Sequence, residues 1–327
     1  MAANVRRSLL TRRLVIVTGK GGTGKTTVAA SLAVAAAAEN LRVLVAEVGR
    51  DEQIQRLLAP GTPPVGHAGR TILPGITAMR IDPYEALAEY LSLQIGIRAL
   101  VESVLRNRSF RQLMSASPGW RELITLGKIW HLEQSLGADG SPLYDLIVVD
   151  APSTGHGVTF LEVPRVVVSA VRSGPLHHHS EAVEALLEDP ERTALLPVTL
   201  AEELPTRETA QLVARLRQDL DIAVDRVVVN GVVPAAVPPS VGPLGEILGR
   251  LPPETPLGRL PAPPVLGECV ATLQARHELN RSFVREIAEV TGLPLVLLPQ
   301  LPRGIEGLSS IEALAGPLTA PPESDPP

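Results

Sequence analysis

Residues 14–27 read LVIVTGKGGTGKTT, and they restrict this chain more than any other stretch. Leu14–Thr18 is a run of apolar and β-branched residues, which predicts a short strand. Gly19, Gly21, Gly22 and Gly24 follow, with Lys20 and Lys25 set among them. From Thr26 to about Glu39 the chain is rich in alanine and predicts a helix. Strand, glycine loop and helix in that order give meaning to the pattern G-x-x-x-x-G-K-[ST], completed here by Gly19, Gly24, Lys25 and Thr26. Glycines let backbone N–H groups approach phosphates closely. The helix start adds unpaired N–H groups and the positive end of its dipole. Lys25 offers a point charge to β- and γ-phosphates, and the Thr26 hydroxyl suits Mg²⁺. The expected phosphate cradle is therefore Gly19, Gly21, Gly22, Thr23, Gly24, Lys25, Thr26 and Thr27. Lysines occur at 20, 25 and 128 only, and every other basic position is arginine. An arginine-favouring chain that keeps lysine in this loop points to a slot a planar guanidinium does not fit.

The rest of the chain supplies a sheet for that loop. Arg42–Glu47, Ile76–Ile81, Leu146–Asp150, Ala194–Leu200, Arg226–Asn230 and Leu295–Leu298 read as further strands. LIVVD is almost wholly apolar, as a strand buried on both faces should be. Strands alternating with helices predict an α/β fold: a mostly parallel twisted sheet flanked by helices, with a helical insertion at about 84–134 broken near Ser115–Gly119. Residues 1–13 read as a flexible basic arm, 14–316 as one domain, 233–264 as a proline-rich excursion and 317–327 as a disordered tail. Gly49–Leu58 reads as a loop entering a short helix, Pro60–Pro74 as loop, and Gly267–Thr291 as helix. Aromatic residues are only 2%, so the core is left to Leu, Val, Ile and Ala. The net charge of −5, with no basic run beyond the amino-terminal arginines, argues against a nucleic-acid surface. Cys269 is the one cysteine, which excludes an intrachain disulfide or Cys-x-x-Cys metal site and fits a cytoplasmic protein. No apolar run is long enough for a membrane span, and residues 1–13 lack a signal-peptide core.

GKGGTGKTT resembles the deviant phosphate loop of the NTPase class that contains partition, division-site, nitrogenase iron-protein, arsenical-pump and tail-anchored-protein-targeting ATPases. Asp150, Ala151, Pro152, Thr154, Gly155 and His156 resemble the second switch of the arsenical-pump and tail-anchored-targeting branch. The resemblance covers most of 14–315. It implies an ATP- and Mg²⁺-dependent ATPase of P-loop fold in which Lys20 reaches a partner's nucleotide across a dimer, either a homodimer or a heterodimer with a paralogue. Thr26 and Asp150 are the expected metal residues, Asp150 through a bound water. Lys20, Lys25, Asp150 and Asp51 form the expected catalytic set. Glu208 corresponds to a helix glutamate that contacts nucleotide across the dimer. Asn230 ends a strand whose asparagine reads the adenine edge, a role suited to an amide's paired donor and acceptor. Pro299 and Leu301 lie in a segment resembling the loop that closes over the base.

The first switch departs from the pattern. Relatives carry an aspartate just after the second strand to orient the attacking water, and Gly49 stands there. Asp51 is the expected substitute, ahead of Glu47. The branch implies coupling of nucleotide state to a hydrophobic protein client or membrane-associated partner, with the insertion as either client groove or structural layer. The irregular switch keeps open a non-hydrolysing nucleotide-gated module or the regulatory subunit of a paired ATPase. An arsenite pump subunit lacks the thiolates it would need. A partition or division-site protein lacks a basic face or an amphipathic tail. His177–His179 read as an incidental run on an exposed helix start.

Overall fold

The computed structural model describes residues 9–49, 52–96, 98–116, 119–235, 247–248, 250–256 and 261–320. Eight strands form one sheet: β1 (Leu14–Gly19), β2 (Val43–Val48), β3 (Arg70–Leu73), β4 (Ile76–Ile81), β5 (Leu146–Asp150), β6 (Thr193–Leu200), β7 (Val227–Val232) and β8 (Leu295–Pro299). Their spatial order is β3-β4-β2-β5-β1-β6-β7-β8. Every neighbouring pair is parallel except the edge hairpin β3–β4. On one side of β1 the strands β6, β7 and β8 run outwards in chain order, and on the other β5 lies between β1 and β2; ligands of such sheets bind at the carboxyl ends of the strands.

Period-two alternation sends side chains to two different cores. Leu14, Ile16, Leu44, Ala46, Ile147 and Val149 face one core. It is covered by α6 (Trp120–Gln134), α7 (Thr154–Ala170), α8 (Pro175–Glu188), α9 (Glu203–Gln218) and the long α10 (Pro263–Thr291). Val15, Val17, Val43, Val45, Leu146 and Val148 face the other. There they meet α1 (Lys25–Ala38), the short α2 (Gln53–Leu58) and the last helix α11 (Leu308–Thr319). The small side chains of α1, from Ala29 to Ala36, let this helix lie close on the sheet and bring its first turn up to the strand ends. The remaining helices, α3 (Pro83–Ile95), α4 (Arg98–Arg106) and α5 (Arg108–Ala116), extend the helical layer beyond α6. Asp82 caps α3 by accepting from the amides of Tyr84 and Glu85, with Pro83 at the first helical position.

Several expectations need correction. Residues 9–13 are not a frayed arm. Leu9 is buried, and Arg13 donates to the Tyr144 and Glu133 carbonyls and to the buried Glu133 carboxylate, which also accepts from Arg192. Pro60–Pro74 is not all loop, because Arg70–Leu73 pairs antiparallel with β4. The last helix runs to Thr319, three residues past the expected end of the domain, because Leu318 completes the core against α1. The insertion is broken at Gly96 and Asn107 as well as at Gly119. Half of the proline-rich excursion, and residues 321–327, lie outside the described residues.

Candidate functional site

The loop between β1 and α1 sits at the carboxyl edge of the sheet, between the ends of β5 and β6. Its backbone uses conformations only glycine adopts cheaply. Gly24 has φ +91°, and a Cβ there would lie 2.1 Å from Nδ2 of Asn230. Gly19 has φ +141°, and its Cβ would lie 2.3 Å from the Val198 carbonyl oxygen. Asn230, at the end of β7, donates from Nδ2 to the Thr23 carbonyl at 2.9 Å. Part of its amide therefore holds the loop.

The two loop lysines make different contacts. Nζ of Lys25 donates to the Lys20 carbonyl at 3.0 Å across the turn. Burial pulls the Lys25 ammonium below its usual range, and the charge of Asp150 opposes that pull. Nζ of Lys20 points the other way and pairs with Oε1 of Glu208 on α9 at 2.5 Å. Within one chain the two residues expected to act across a dimer are thus bonded to each other, each about a third exposed.

The Thr26 hydroxyl, on the first turn of α1, donates to Oδ2 of Asp150 at 2.6 Å. The other oxygen, Oδ1, is buried with no hydrogen-bond partner among the described residues. Burial raises the Asp150 carboxyl above its usual range, opposed by the Thr26 hydrogen bond and the Lys25 charge. Glu47, at the end of β2, is the register partner of Asp150. Its Oε1 accepts from the amides of Gln53 and Ile54 at 2.7 and 3.0 Å, while Oε2 is buried without a partner among the described residues. Only 4% of Glu47 is exposed. Burial pushes its carboxyl up to about 7, against the two backbone N–H bonds.

Of the expected residues, Gly19 to Thr27, Asp150, Glu208 and Asn230 converge on one edge of the molecule. Asp51 lies outside the described residues. Thr154, Gly155 and His156 open α7, but their side chains are outside the described set. Pro299 ends β8 opposite Val232 and lines a cavity of about 420 Å³ with Val233, His277 and Arg281. Leu301 instead packs against the core under α1 and α11. Reading the sequence put Glu47 second to Asp51. The signal for it was present in RVLVAE, an apolar strand ending in a carboxylate, as LIVVD does at Asp150.

The histidine run is less exposed than expected. His177 and His178 pair with Glu181, while His179 turns inward against Tyr90 and Trp130 with ring centroids 5.3 and 4.8 Å away. It helps line a cavity of about 740 Å³ between α3, α4, α6 and α8, walled by Leu93, Leu105, Leu123 and Ile124.

A glycine loop closing a central parallel strand, a helix rising from it, and a carboxylate on the adjacent strand bonded to the loop threonine together define a P-loop NTPase fold. The sequence profile of the family described as "Anion-transporting ATPase" matches residues 12–174 and 175–241. The chain belongs to this family of ATPases. It is 36% identical to "ATPase BagA" of Mycobacterium tuberculosis over 232 residues, 69% of this chain and 67% of that protein. It is 31% identical to the "Arsenical pump-driving ATPase" of Acidiphilium multivorum, over 67% of this chain but 39% of that protein. It is 25% identical to the "ATPase ASNA1 homolog" of Entamoeba dispar, over 68% of this chain and 77% of that protein. Among the described residues no helix is long and apolar enough to cross a membrane.

Proposed function

We propose that the chain is a magnesium-dependent ATPase that works as a dimer and couples nucleotide state to an apolar protein client or membrane-associated partner. The observation that carries the reading is the Thr26–Asp150 bond beside a buried carboxylate oxygen with no partner among the described residues. A hydroxyl and an orphaned carboxylate oxygen at the mouth of a phosphate loop are a hard-oxygen donor set, and they fit Mg²⁺. When bound, that ion would neutralise charge on the β- and γ-phosphates. The loop amides from Gly21 to Thr26 cradle the phosphates, and Lys25 meets the charge that develops on the transferred group.

Lys20 and Glu208 give the dimer its physical rationale. Both must leave their mutual ion pair to meet a second subunit, and a partly exposed pair of this kind is weak enough to break, at about 1 kcal/mol or less. Asn230 and Pro299 flank the ends of adjacent strands β7 and β8, where a base would follow the phosphates. The cavity among α3, α4, α6 and α8 favours client or partner coupling through the helical layer, because Leu93, Leu105, Leu123 and Ile124 form much of its wall and the lysine at its rim, Lys128, is paired with Glu89.

Single-turnover phosphate release tests the reading. We expect Mg²⁺-dependent release from ATP that falls on the order of 10²–10³-fold in Lys25→Ala. Sedimentation with Mg²⁺ and a non-cleavable ATP analogue should double the 34.7 kDa mass of one chain. Nucleotide binding without release would instead support a nucleotide-gated module, the reading that Gly49 favours by leaving no carboxylate side chain at that position.

A further inference from the structure

The fold places a second carboxylate at the strand-end site. Residues 44 and 46 of β2 face the α6–α10 core, so Glu47 faces the α1 side. On β5 the same alternation turns Asp150 to that side too, since Ile147 and Val149 face away. The two are register partners on neighbouring strands, which run about 4.8 Å apart. Each has one oxygen engaged, Oδ2 of Asp150 by Thr26 and Oε1 of Glu47 by two amides. Each has one oxygen buried and unpartnered among the described residues. Burying a polar atom without a partner is costly, and two adjacent carboxylates with such oxygens are more costly still unless a cation accompanies them. The helix-capping bonds of Oε1 explain how Glu47 is oriented, but they leave Oε2 unexplained.

We propose that Glu47, and not Asp51, is the second acidic group of the cation site, sharing with Asp150 and the Thr26 hydroxyl the task of holding the divalent ion that accompanies the nucleotide. This rests on the ATPase reading above. Glu47 acts as a positioning residue: it fixes the ion and, through the Gln53 and Ile54 amides, ties the start of α2 to the same point. Occupancy of the site and the position of the first turn of α2 are thereby linked through one side chain.

Glu47→Gln separates the two jobs, because its amide oxygen can still accept from Gln53 and Ile54 while the charge is gone. The measurement is Mn²⁺ affinity by electron paramagnetic resonance in the presence of a non-cleavable ATP analogue, with analogue affinity in EDTA measured alongside. We expect Glu47→Gln to keep the wild-type analogue affinity in EDTA but to bind Mn²⁺ about 10–100-fold more weakly, as for groups that support a metal's ligands. Wild-type Mn²⁺ affinity in Glu47→Gln, or a loss seen in Asp51→Asn instead, overturns the proposal. Should Glu47→Gln fail to fold, Glu47→Asp keeps the charge but withdraws it by one methylene. A smaller loss of Mn²⁺ affinity there supports the assignment, and none overturns it. If the wild-type protein binds neither analogue nor Mn²⁺, the ATPase reading fails with it. If the wild type binds both and the variants match it, only the assignment of Glu47 fails.

Discussion

The strand-end site and the helical layer treat charge in opposite ways. At the strand ends Glu47 and Asp150 are buried side by side, and each keeps an oxygen with no described partner. In the helical layer Glu89 pairs with Lys128 and lies 3.3 Å from His67, and the cavity beside them is walled by Leu93, Leu105, Leu123 and Ile124 together with Tyr90, His131 and His179. The first arrangement holds unfavourable electrostatics that a cation and phosphates would relieve. The second has its lysine paired with Glu89 beside a largely apolar cavity. On the function proposed above, one chain would keep a site for charged ligands apart from a cavity for apolar ones.

The sharpest way to break this contrast is to titrate stability. Glu47 has a native pKa of about 7 against an ordinary 4.5, so the folded chain holds a proton that the unfolded chain releases in that interval. Stability contributed by this group is therefore full below pH 4.5, declines as pH rises, and is lost above about 7. At about 1.4 kcal/mol per unit the decline amounts to roughly 3 kcal/mol. The raised pKa of Asp150 adds in the same direction. Urea melts of the nucleotide-free protein at pH 5 and pH 8 should show the fall, and Glu47→Gln should remove most of it. A flat profile would mean the strand-end carboxylates are not under electrostatic stress.

A smaller effect sharpens the geometry of the loop. Gly22 and Gly24 both have positive φ, but a Cβ at Gly22 meets nothing within 4 Å while one at Gly24 strikes Asn230. Gly22→Ala should cost about 1 kcal/mol of backbone strain. Gly24→Ala should cost about 2 kcal/mol or more, since Asn230 must leave the Thr23 carbonyl as well. Equal losses in urea melts would show that Asn230 does not brace the loop.

The smallest change tests the other region. Glu89→Gln removes the bridge between Lys128 and His67, yet Glu89 is nearly half exposed, so the loss should stay below about 1 kcal/mol. Phosphate release should not change. A large loss of either would mean that the helical layer carries electrostatic stress of its own.

Much of this was legible before folding. Leu146–Asp150 was readable to the residue, because a strand buried on both faces needs an apolar run. Ile76–Ile81 was readable too, although Thr77 and Arg80 interrupt its apolar residues and are only half-buried. The edge strand Arg70–Leu73 was not, since two of its four residues are exposed and it pairs only through the β3–β4 hairpin. Leu308–Thr319 hid behind Gly316 and Pro317, and its helix is held by burial against α1 rather than by propensity. His179 could not be separated from its neighbours in a row of three histidines until Tyr90 and Trp130 closed on it.

By itself the sequence determined the phosphate loop, because glycine at positive φ and a lysine–threonine helix start are local requirements met within nine residues. It also determined that Asp150 ends a buried strand. Which carboxylate stands beside Asp150 was decided by the sheet alone. Glu47 and Asp150 are separated by more than a hundred positions, and only parallel pairing of β2 with β5 brings them into register. The tertiary structure likewise decided that Lys20 meets Glu208, since the fold of α9 over β6, and no spacing along the chain, sets that distance.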